Sequence, residues 1–303
     1  MWGEKKGKTF PFSRKHPYLC DQFSRLPDMI YVTDRGRMAN NIFQYGHLYA
    51  WGREHHRPTM SMRFAHKYPD FRISHTRHHN KLTYIWAKAM AWAKWMPTVE
   101  FHDFNSDYAE QQRVMLEEKN VLATGWCVRF PDLFDKYRHE IVDLFAFSQK
   151  VRRRVRSRLG ESQKDTIRLG IHIRRGDYAT WSHGVYFFDD STYVQAIRRF
   201  ASLVPGRRVE VYVCGNDPCL DRDYYRQSLS EHKVVFPDGS PAEDLCLFSE
   251  CDYLLGPPSS FTLVAQMYRD ARLCWLKSAD MAFTLDDFRD FRYQARHFDL
   301  YYV

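Results

Sequence analysis

The chain has 303 residues, of which 44% are hydrophobic and 16% aromatic, so it can bury a large core and form two domains. No uninterrupted apolar stretch approaches the roughly 20 residues of a membrane-spanning helix, and the basic start of the chain lacks the apolar core of a secretory signal. The formal net charge of +8 favours an anionic partner, namely nucleic acid, anionic lipid or a nucleotide sugar.

The first half of the chain alternates strand and helix patterns. Strands are predicted at 29–33, 57–62, 99–104 and 120–124, with helices at 41–53, 82–95 and 107–119. The helix at 82–95 carries a broad apolar surface with lysines on its other side, and Pro97 ends it. Such alternation predicts a mostly parallel sheet covered by helices.

A second alternating unit follows a long helical connection, which runs over 130–159 and ends at a polar hinge, 160–164. Beyond the hinge, the patterns predict strands at 167–173, 209–214, 233–236, 253–256 and 272–276, helices at 191–203, 224–231, 242–249 and 261–269, and a terminal helix at 286–302. The predicted fold is therefore α/β, with two Rossmann-like doubly wound lobes. The first lobe comprises residues 1–160 with the linker helix, and the second comprises residues 161–303 with the terminal helix.

The cysteines indicate a reducing compartment. None of the seven forms a Cys-x-x-Cys pair, and the spacings of Cys214 from Cys219 and of Cys246 from Cys251 suit neither a zinc ribbon nor a redox motif. An odd count is typical of reduced thiols, many of them part of the core. We therefore expect a cytoplasmic protein.

The run Leu-Gly-Ile-His-Ile-Arg-Arg-Gly-Asp-Tyr at 169–178 begins as an apolar strand and ends in two arginines, a glycine and an aspartate. Side chains alternate along a strand, so His172 and Arg174 should leave the same face, and Gly176 permits a tight turn. An open α/β sheet binds its ligand at such a strand end, and a guanidinium suits phosphate oxygens. The alternative is a surface turn in which Asp177 pairs with an arginine.

Four segments of the chain resemble one family. His-Ile-Arg-Arg-Gly-Asp-Tyr at 172–178 resembles the signature of the α-1,2-fucosyltransferases, glycosyltransferase family 11. A similar His-x-Arg-Arg pattern occurs in α-1,6-, rhizobial chitin-oligosaccharide and protein O-fucosyltransferases. Residues 36–45, Gly-Arg-Met-Ala-Asn-Asn-Ile-Phe-Gln-Tyr, resemble the family's amino-terminal motif. The segment at Gly125-Trp126 and the stretch from Glu243-Asp244-Leu245 to Ser259-Ser260-Phe261 are similar to two further motifs, in the expected order.

The chain also departs from the family pattern. Ala39 and Asn41 stand where the family has glycine and glutamine, and Pro257-Pro258 precedes the Ser-Ser-Phe motif. The segment Val-Tyr-Val-Cys-Gly-Asn-Asp-Pro at 211–218 is more similar to the α-1,6 enzymes. The sequence is therefore identified as a divergent member, in which the resemblance bears more on the donor than on the acceptor and the linkage.

The resemblance implies a GT-B arrangement, in which an amino-terminal acceptor-side lobe and a carboxyl-terminal nucleotide-sugar lobe face a cleft. It implies an inverting, metal-independent transfer of fucose from GDP-fucose, without a cofactor, to an oligosaccharide or glycolipid, at the 2-OH of galactose. The alternatives are a fucosyltransferase of other linkage, a related transferase with another nucleotide sugar, and a non-catalytic glycan- or nucleotide-binding protein.

The carboxyl-terminal lobe is predicted to hold the donor. Arg174 should contact the diphosphate and stabilise it as the leaving group, with Arg175 as a helper or a structural partner. Ser259 and Ser260, with the amides leading into the helix at Phe261, form an anion-binding helix start, which is compatible with a plain N-cap. Phe261 packs against the nucleoside in this hypothesis.

Four further positions are donor-binding candidates. Asp244 matches the acid that related enzymes place on the guanine edge, where a carboxylate accepts from two N–H groups; the alternative is an N-cap or first-turn acid. Asn216 and Asp217 end a strand that faces the cleft and are candidates for the ribose. His172 either contacts the nucleotide or satisfies a buried partner.

The resemblance also brings Arg37 and Asn40 from the amino-terminal lobe to the donor, although a structural turn is the alternative for Asn40. Asn40 is thereby a catalytic candidate together with Arg174. For Asp177 the choice lies between a general base and a structural partner of Arg174 or Arg175, because an unpaired arginine in a low-dielectric site is costly. No spacing selects the base among Asp177 and three other ionisable residues, Glu100, His102 and Asp103.

No metal site is predicted. Asp221-Arg222-Asp223 fits an Asp-x-Asp motif, but its place between a strand and a helix favours surface helix entry. The histidine-rich segments lack a recognisable zinc-ligand spacing.

Six positive charges lie from Lys150 to Arg158. This run favours a solvated helix face, and peripheral membrane contact is the second interpretation. Nucleic acid is not expected as a partner, because no motif for binding it is present.

Overall fold

A computed structural model describes residues 28–33, 35–104, 106–160 and 165–301. Within these residues the chain forms two parallel β-sheets, one of four strands and one of five. The strands are β1 Met29–Val32, β2 Thr59–Ser61, β3 Thr98–Glu100, β4 Asn120–Thr124, β5 Thr166–Ile173, β6 Arg208–Gly215, β7 Lys233–Val235, β8 Tyr253–Gly256 and β9 Arg272–Trp275. The helices are α1 Met38–Glu54, α2 Phe64–Lys67, α3 Lys81–Trp92, α4 Ala109–Glu117, α5 Pro131–Lys136, α6 Arg138–Leu144, α7 Gln149–Leu159, α8 Asp190–Leu203, α9 Arg222–Ser228, α10 Pro241–Ser249, α11 Ser260–Arg269 and α12 Phe291–His297.

The amino-terminal sheet has the strand order β2-β1-β4-β3, and all its pairings are parallel. Alternate side chains of β1 face two cores, as the strand pleat requires. Ile30 and Val32 belong to the core that contains α1, whereas Met29 and Tyr31 belong to the core that contains α3. The sheet is therefore covered by helices on both faces, as the alternation of elements predicted.

The carboxyl-terminal sheet has the strand order β7-β6-β5-β8-β9, again entirely parallel. The chain first proceeds from β5 towards β7 and then returns to β8 on the other side of β5, so the strand order reverses there. In open α/β sheets a ligand binds at such a point, outside the carboxyl ends of the strands. Ile173 pairs with Gly215, so the loops beginning at Arg174 and Asn216 start at the same level of the sheet.

The two lobes share a common core. The cluster around α1 continues into α10 and α11 of the carboxyl-terminal lobe. α7 packs against α10, where Arg154 and Arg158 pair with Glu243 at 2.8 and 3.0 Å. α12 returns to the amino-terminal lobe and contacts α5, where Arg292 pairs with Asp135. The predicted domain boundary between residues 160 and 161 stays a prediction.

Two predicted helices differ from the structure. The connection at 130–159 consists of three helices, because the helical hydrogen bonding is interrupted after α5 and again over 145–148, where Ser148 caps α7. The single terminal helix at 286–302 is wrong. Thr284 and Asp287 form a capping box around a 3₁₀ turn, and Asp290 then caps the short helix α12. Local capping groups thus divide a segment whose composition suits one helix.

Several sequence predictions fall outside the described residues, namely those on the start of the chain, on hinge residues 161–164 and on residue 302. Across the part of the chain that the structure describes, no helix combines the length and the hydropathy that crossing a bilayer requires. Six cysteines there are free thiols, and four of them are buried, as predicted for thiols of the core: Cys214, Cys246, Cys251 and Cys274.

Candidate active site

A cavity of about 500 Å³ lies between the start of α1 and the carboxyl ends of β5, β6 and β8. Both lobes line it. The lining residues are Gly36, Arg37, Met38, Ala39, Asn40 and Tyr68 from the amino-terminal lobe, and His172, Arg174, Asp177, Tyr178, Trp181, Cys214, Gly215, Asn216, Pro241, Asp244, Ser259, Ser260 and Phe261 from the other. The structure thus brings together ten of the twelve residues predicted for the site.

Arg174 follows the last residue of β5 and forms a two-point ion pair with Asp177. Nε lies 3.1 Å from Oδ1 and Nη2 lies 2.7 Å from Oδ2, and the guanidinium lies 5.0 Å from the ring centre of Tyr178. Arg37, from the opposite lobe, approaches Asp177 at 3.9 Å. Burial opposes ionisation of Asp177, but Arg174 and then Arg37 outweigh it and lower the pKa of this carboxyl. Asp177 is therefore the partner of Arg174.

Arg175 points away from the cleft into the carboxyl-terminal lobe. Its guanidinium donates to Asp217 at 2.9 Å, to Asp190 at 2.5 Å and to the carbonyl of Phe188 at 3.0 Å. Asp217 is further occupied by the amide of Cys219 at 2.8 Å. Neither Arg175 nor Asp217 lines the 500 Å³ cavity. The geometry therefore supports the structural role for Arg175, and it does not support the predicted donor contacts of these two residues.

Asn216 supports the turn that carries the arginines. Its Oδ1 accepts from the amide of Arg175 at 3.0 Å. A Cβ built on Gly176 would lie only 2.7 Å from Nδ2 of Asn216, so a larger residue at this position would displace the Asn216 side chain. Asn216 lines the cavity, but the Oδ1 atom of its side chain is already engaged by this hydrogen bond from the backbone.

Asp244 lies in α10 without capping it. Ser240 accepts from the amide of Glu243 at 3.3 Å, and the Glu243 carboxylate accepts from the amide of Ser240 at 3.1 Å, which completes a capping box. The N-cap alternative for Asp244 is therefore wrong, whereas the alternative of a first-turn acid agrees with its place in the first turn of α10. Its Oδ1 is buried, without a hydrogen-bond partner among the described residues. Burial raises the pKa of Asp244 to about 6, against the opposing effects of Cys214 and Arg158.

His172 is buried and stacks on Phe261, with ring centres 5.1 Å apart and an angle of 26° between the planes. Burial, with a smaller effect of Arg174, lowers the pKa of His172 to about 3. The imidazole is therefore neutral in the physiological range. Its Nδ1 has no partner in the described part of the molecule, so the structure supplies no buried group that this nitrogen would satisfy.

Ser259, Ser260 and Asn40 connect the two lobes across the cleft. Ser259 caps α11 by accepting from the amide of Phe261 at 3.2 Å. The hydroxyl of Ser260 donates to Oδ1 of Asn40, which lies in the first turn of α1. Gly36 has a φ of +70°, and a Cβ there would lie 2.5 Å from Nδ2 of Asn40. The positive φ and the close approach of Asn40 thus favour glycine where the chain turns into α1.

Three aromatic residues of the cleft were missed by the sequence analysis: Tyr68, Tyr178 and Trp181. Tyr178 donates its hydroxyl to the carbonyl of Pro258 at 2.5 Å. Its ring centre lies 5.0 Å from the guanidinium of Arg174 and 4.6 Å from the ring centre of Trp181. Tyr178 is the last residue of the His-Ile-Arg-Arg-Gly-Asp-Tyr motif, so the motif could have identified it. Tyr68 follows a short helix of the other lobe, and no local pattern indicates it.

The remaining candidates lie elsewhere. Glu100 and His102 pair with each other at 2.5 Å and, like Asp103, do not line the cavity. Asp221 caps α9, and Asp223 pairs with Arg226 at 2.9 Å, as expected for surface helix entry. No group of three His, Cys, Asp or Glu side chains suited to a metal ion occurs among the described residues.

Two parallel α/β lobes facing a cleft define the GT-B class of transferases, and solved structures share this fold. A mutant of Arabidopsis thaliana FUT1 in complex with GDP superposes with a TM-score of 0.54 and 11% identity, covering 89% of this chain and 76% of that one. NodZ α-1,6-fucosyltransferase soaked with GDP-fucose superposes with a TM-score of 0.53 and 12% identity, covering 84% and 97%. The predicted GT-B fold is confirmed.

The family model of glycosyl transferase family 11 matches residues 12–271, and the chain belongs to this family. Galactoside alpha-(1,2)-fucosyltransferase 2 of Oryctolagus cuniculus is 27% identical over 236 residues, which cover 73% of this chain and 62% of the relative. The enzyme of that name from Mus musculus is 26% identical over 261 residues, covering 80% and 69%. The aligned part of this chain thus spans about two thirds of the length of these relatives.

Proposed function

We propose that this chain transfers fucose from GDP-fucose, with inversion and without a metal ion, to a hydroxyl group of a glycan. The observation that carries the proposal is Asp244, a carboxylate whose buried Oδ1 has no partner among the described residues and which lines the same cavity as Arg174. A buried carboxylate oxygen without a donor is costly. Guanine offers N1–H and an exocyclic amine side by side, which satisfies such an acceptor.

The diphosphate fits the arginine side of the cleft. Asp177 engages Nε and Nη2 of Arg174, which fixes the guanidinium and leaves donors on Nη1 for phosphate oxygens. The amides at the start of α11, next to Ser259 and Ser260, add an electropositive helix terminus on the same cavity. Fixed donors of this kind stabilise the charge that develops on the leaving diphosphate.

We assign Asp177 as a positioning residue for Arg174. Of the four candidate bases it alone lines the cavity, but its ion pair with Arg174 lowers its pKa and makes it a weak base. Asp177→Asn retains an acceptor for Nε, so turnover should fall moderately and its pH profile should keep its shape. Loss of the acidic limb of the profile would instead identify Asp177 as the base.

The donor class is tested by calorimetry against GDP, UDP and ADP. We expect GDP to bind tightest, and Asp244→Asn to remove about 1.5–3 kcal/mol of that preference, because the amide places a donor against the guanine N–H groups. Equal affinity for the three nucleotides would contradict both the role of Asp244 and the donor class. It would favour a related transferase with another nucleotide sugar, or a non-catalytic binding protein.

The acceptor proposed is the 2-OH of galactose in an oligosaccharide or glycolipid. The support is the relatives, which are named galactoside alpha-(1,2)-fucosyltransferases. Fucose transfer to a galactoside, but not to its 2-deoxy analogue, would support this linkage, and equal transfer to both would indicate another one. A cytoplasmic location stays a prediction from the cysteine content.

A further inference from the structure

Helix α3 exposes an apolar stripe. Leu82, Ile85 and Trp92 are 73%, 60% and 88% exposed, and Trp95, just beyond the helix, is 75% exposed. Spacings of three and seven residues place Leu82, Ile85 and Trp92 on one face of a helix. Ala89, also exposed, lies between them. Three large apolar side chains on one helix face, with a fourth exposed just beyond the end of the helix, are more than the scattered exposure usual in soluble domains.

The stripe belongs to a firmly packed helix. Ala87 is fully buried, and α3 packs through Trp86 and Met90 against the same core as Met29 and Tyr31. At the start of the helix, Asn80 accepts from the amide of Thr83 at 2.9 Å. At its end, the amide of Trp95 donates to the carbonyl of Met90 at 3.0 Å. Both faces of α3 are therefore apolar, and the lobe covers only one.

The charged residues of the segment that carries the stripe are all positive. Residues 71–99 include no Asp or Glu but five Lys or Arg residues. Lys81 and Lys88, seven residues apart, flank the stripe along one edge, and Lys94 lies beside Trp95; all three are exposed. Within the described residues, no carboxylate forms an ion pair with any of these lysines. The basic helix α7 differs, since two of its arginines are paired with Glu243.

We propose that α3, together with Trp95, is a docking surface for an anionic lipid bilayer. Exposed tryptophans with leucine and isoleucine on one face, and lysines beside them, are the chemistry of a helix that lies in the membrane interface. Charge complementarity selects this occupant. A second copy would bring lysine against lysine, and residues 1–27, with six Lys or Arg against two Asp or Glu, carry the same sign as the surface. The proposal does not depend on the enzymatic activity.

The test is co-sedimentation of the full chain with phosphatidylcholine vesicles, with and without phosphatidylserine. We expect binding to the anionic vesicles that weakens as salt is raised. Lys81→Gln with Lys88→Gln should weaken binding about fivefold for each lysine removed. Trp92→Ser with Trp95→Ser should weaken it by about tenfold or more. The matched control is Lys150→Gln with Arg153→Gln on α7, which removes the same charge and should leave binding unchanged.

Failure of the chain to bind anionic vesicles would overturn the proposal, and so would an equal loss in the α7 control. A dimer in size-exclusion chromatography that the tryptophan variant dissociates, without vesicle binding by the parent chain, would assign the face to a second copy. GDP calorimetry and a thermal melt on every variant show whether the donor site and the fold are intact, so a failure here is distinguishable from a failure of the proposed activity.

Discussion

Two neighbouring arginines serve two different regions of this molecule. Arg174 turns into the cleft, pairs with a half-exposed carboxylate and stacks on Tyr178. Arg175 turns into the carboxyl-terminal lobe, where Asp190, Asp217 and a backbone carbonyl occupy its guanidinium. The first arginine keeps donors for a ligand, and the second uses its donors within the protein. In the proposed reaction one side of the turn would meet the diphosphate, whereas the other side holds the turn in place through contacts within the lobe.

Turnover should depend most strongly on Arg174, on the cleft side of the turn. Arg174→Ala should lose on the order of 3 kcal/mol or more of transition-state stabilisation, or at least about 100-fold in turnover, because it removes a fixed donor to the leaving diphosphate. Arg174→Lys should not restore activity, since a flexible point charge does not replace a planar fork. The protein should stay folded, because the pair with Asp177 is partly exposed and such pairs contribute little to stability.

This prediction is checked by donor turnover and a thermal melt on the same preparation. Arg153→Ala, which removes an exposed arginine of α7, is the matched control and should leave turnover unchanged. Near-normal turnover in Arg174→Ala would exclude Arg174 from the reaction and return the motif to a surface turn.

Arg175→Ala should act on stability. Asp190 and Asp217 would both lose their cation in a largely buried site, which typically costs about 3–5 kcal/mol. Urea unfolding measures this cost. The control is Arg226→Ala, whose exposed pair with Asp223 should be worth at most about 1 kcal/mol. A normal unfolding free energy together with lost GDP affinity would instead assign Arg175 to the donor site in the cleft.

Sequence reasoning predicted the elements of both lobes because helix and strand periodicities are local. The strand at 167–173 and the glycine turn after it match β5 and the turn at Gly176. The motif did not decide which arginine enters the cleft. That depends on the pairing of β5 with β6, which places Asn216 under the turn and Asp217 beside Arg175. Such pairing is a property of the sheet and not of either segment.

Contacts between distant segments were the least accessible to sequence reasoning. Ser260 and Asn40 were each selected as donor-site candidates, but their hydrogen bond joins residues 220 positions apart. Tyr68 enters the cleft from a short helix that no motif marks. The apolar surface of α3 was predicted from its periodicity, but the pattern does not tell which part of the surface the lobe covers. Which face of α3 is buried depends on the position of β1, and that position is determined by the fold.

GDP binding on the cleft side should depend on pH. Burial raises the pKa of Asp244 to about 6, and only the ionised carboxylate accepts from both guanine N–H groups. GDP affinity should therefore fall about tenfold between about pH 7.5 and about pH 5, where roughly nine tenths of Asp244 is protonated. Calorimetry at both pH values measures the change, and Asp244→Asn should remove the part due to this carboxyl, leaving the part due to the terminal phosphate of GDP, whose own pKa is about 6. An affinity independent of pH in the parent chain would contradict the contact.

The same carboxyl group makes an opposite contribution to the stability of the ligand-free protein. Its folded pKa lies above its ordinary value near 3.8, so the folded state holds the proton more tightly than the unfolded state does. This stabilisation is present below about pH 4 and is lost as the pH rises through about 6. Relative to Asp244→Asn, the ligand-free parent chain should therefore lose stability over this interval, which a series of thermal melts would follow.

Substitutions in the Asp-x-Asp motif at the start of α9 should change turnover and stability least. Asp223 is 79% exposed and pairs only with Arg226 among the described residues, so Asp223→Ala should change neither turnover nor stability by more than about 0.5 kcal/mol. Asp221→Ala should lower stability by about 1 kcal/mol, because it removes the N-cap of α9, and should leave turnover unchanged.

Activity should also persist in EDTA, since Arg174 and the start of α11 meet the charge of the diphosphate. Loss of activity in EDTA that manganese restores, together with inactive Asp221 and Asp223 variants, would assign the leaving-group charge to a metal ion and not to the arginine side of the cleft.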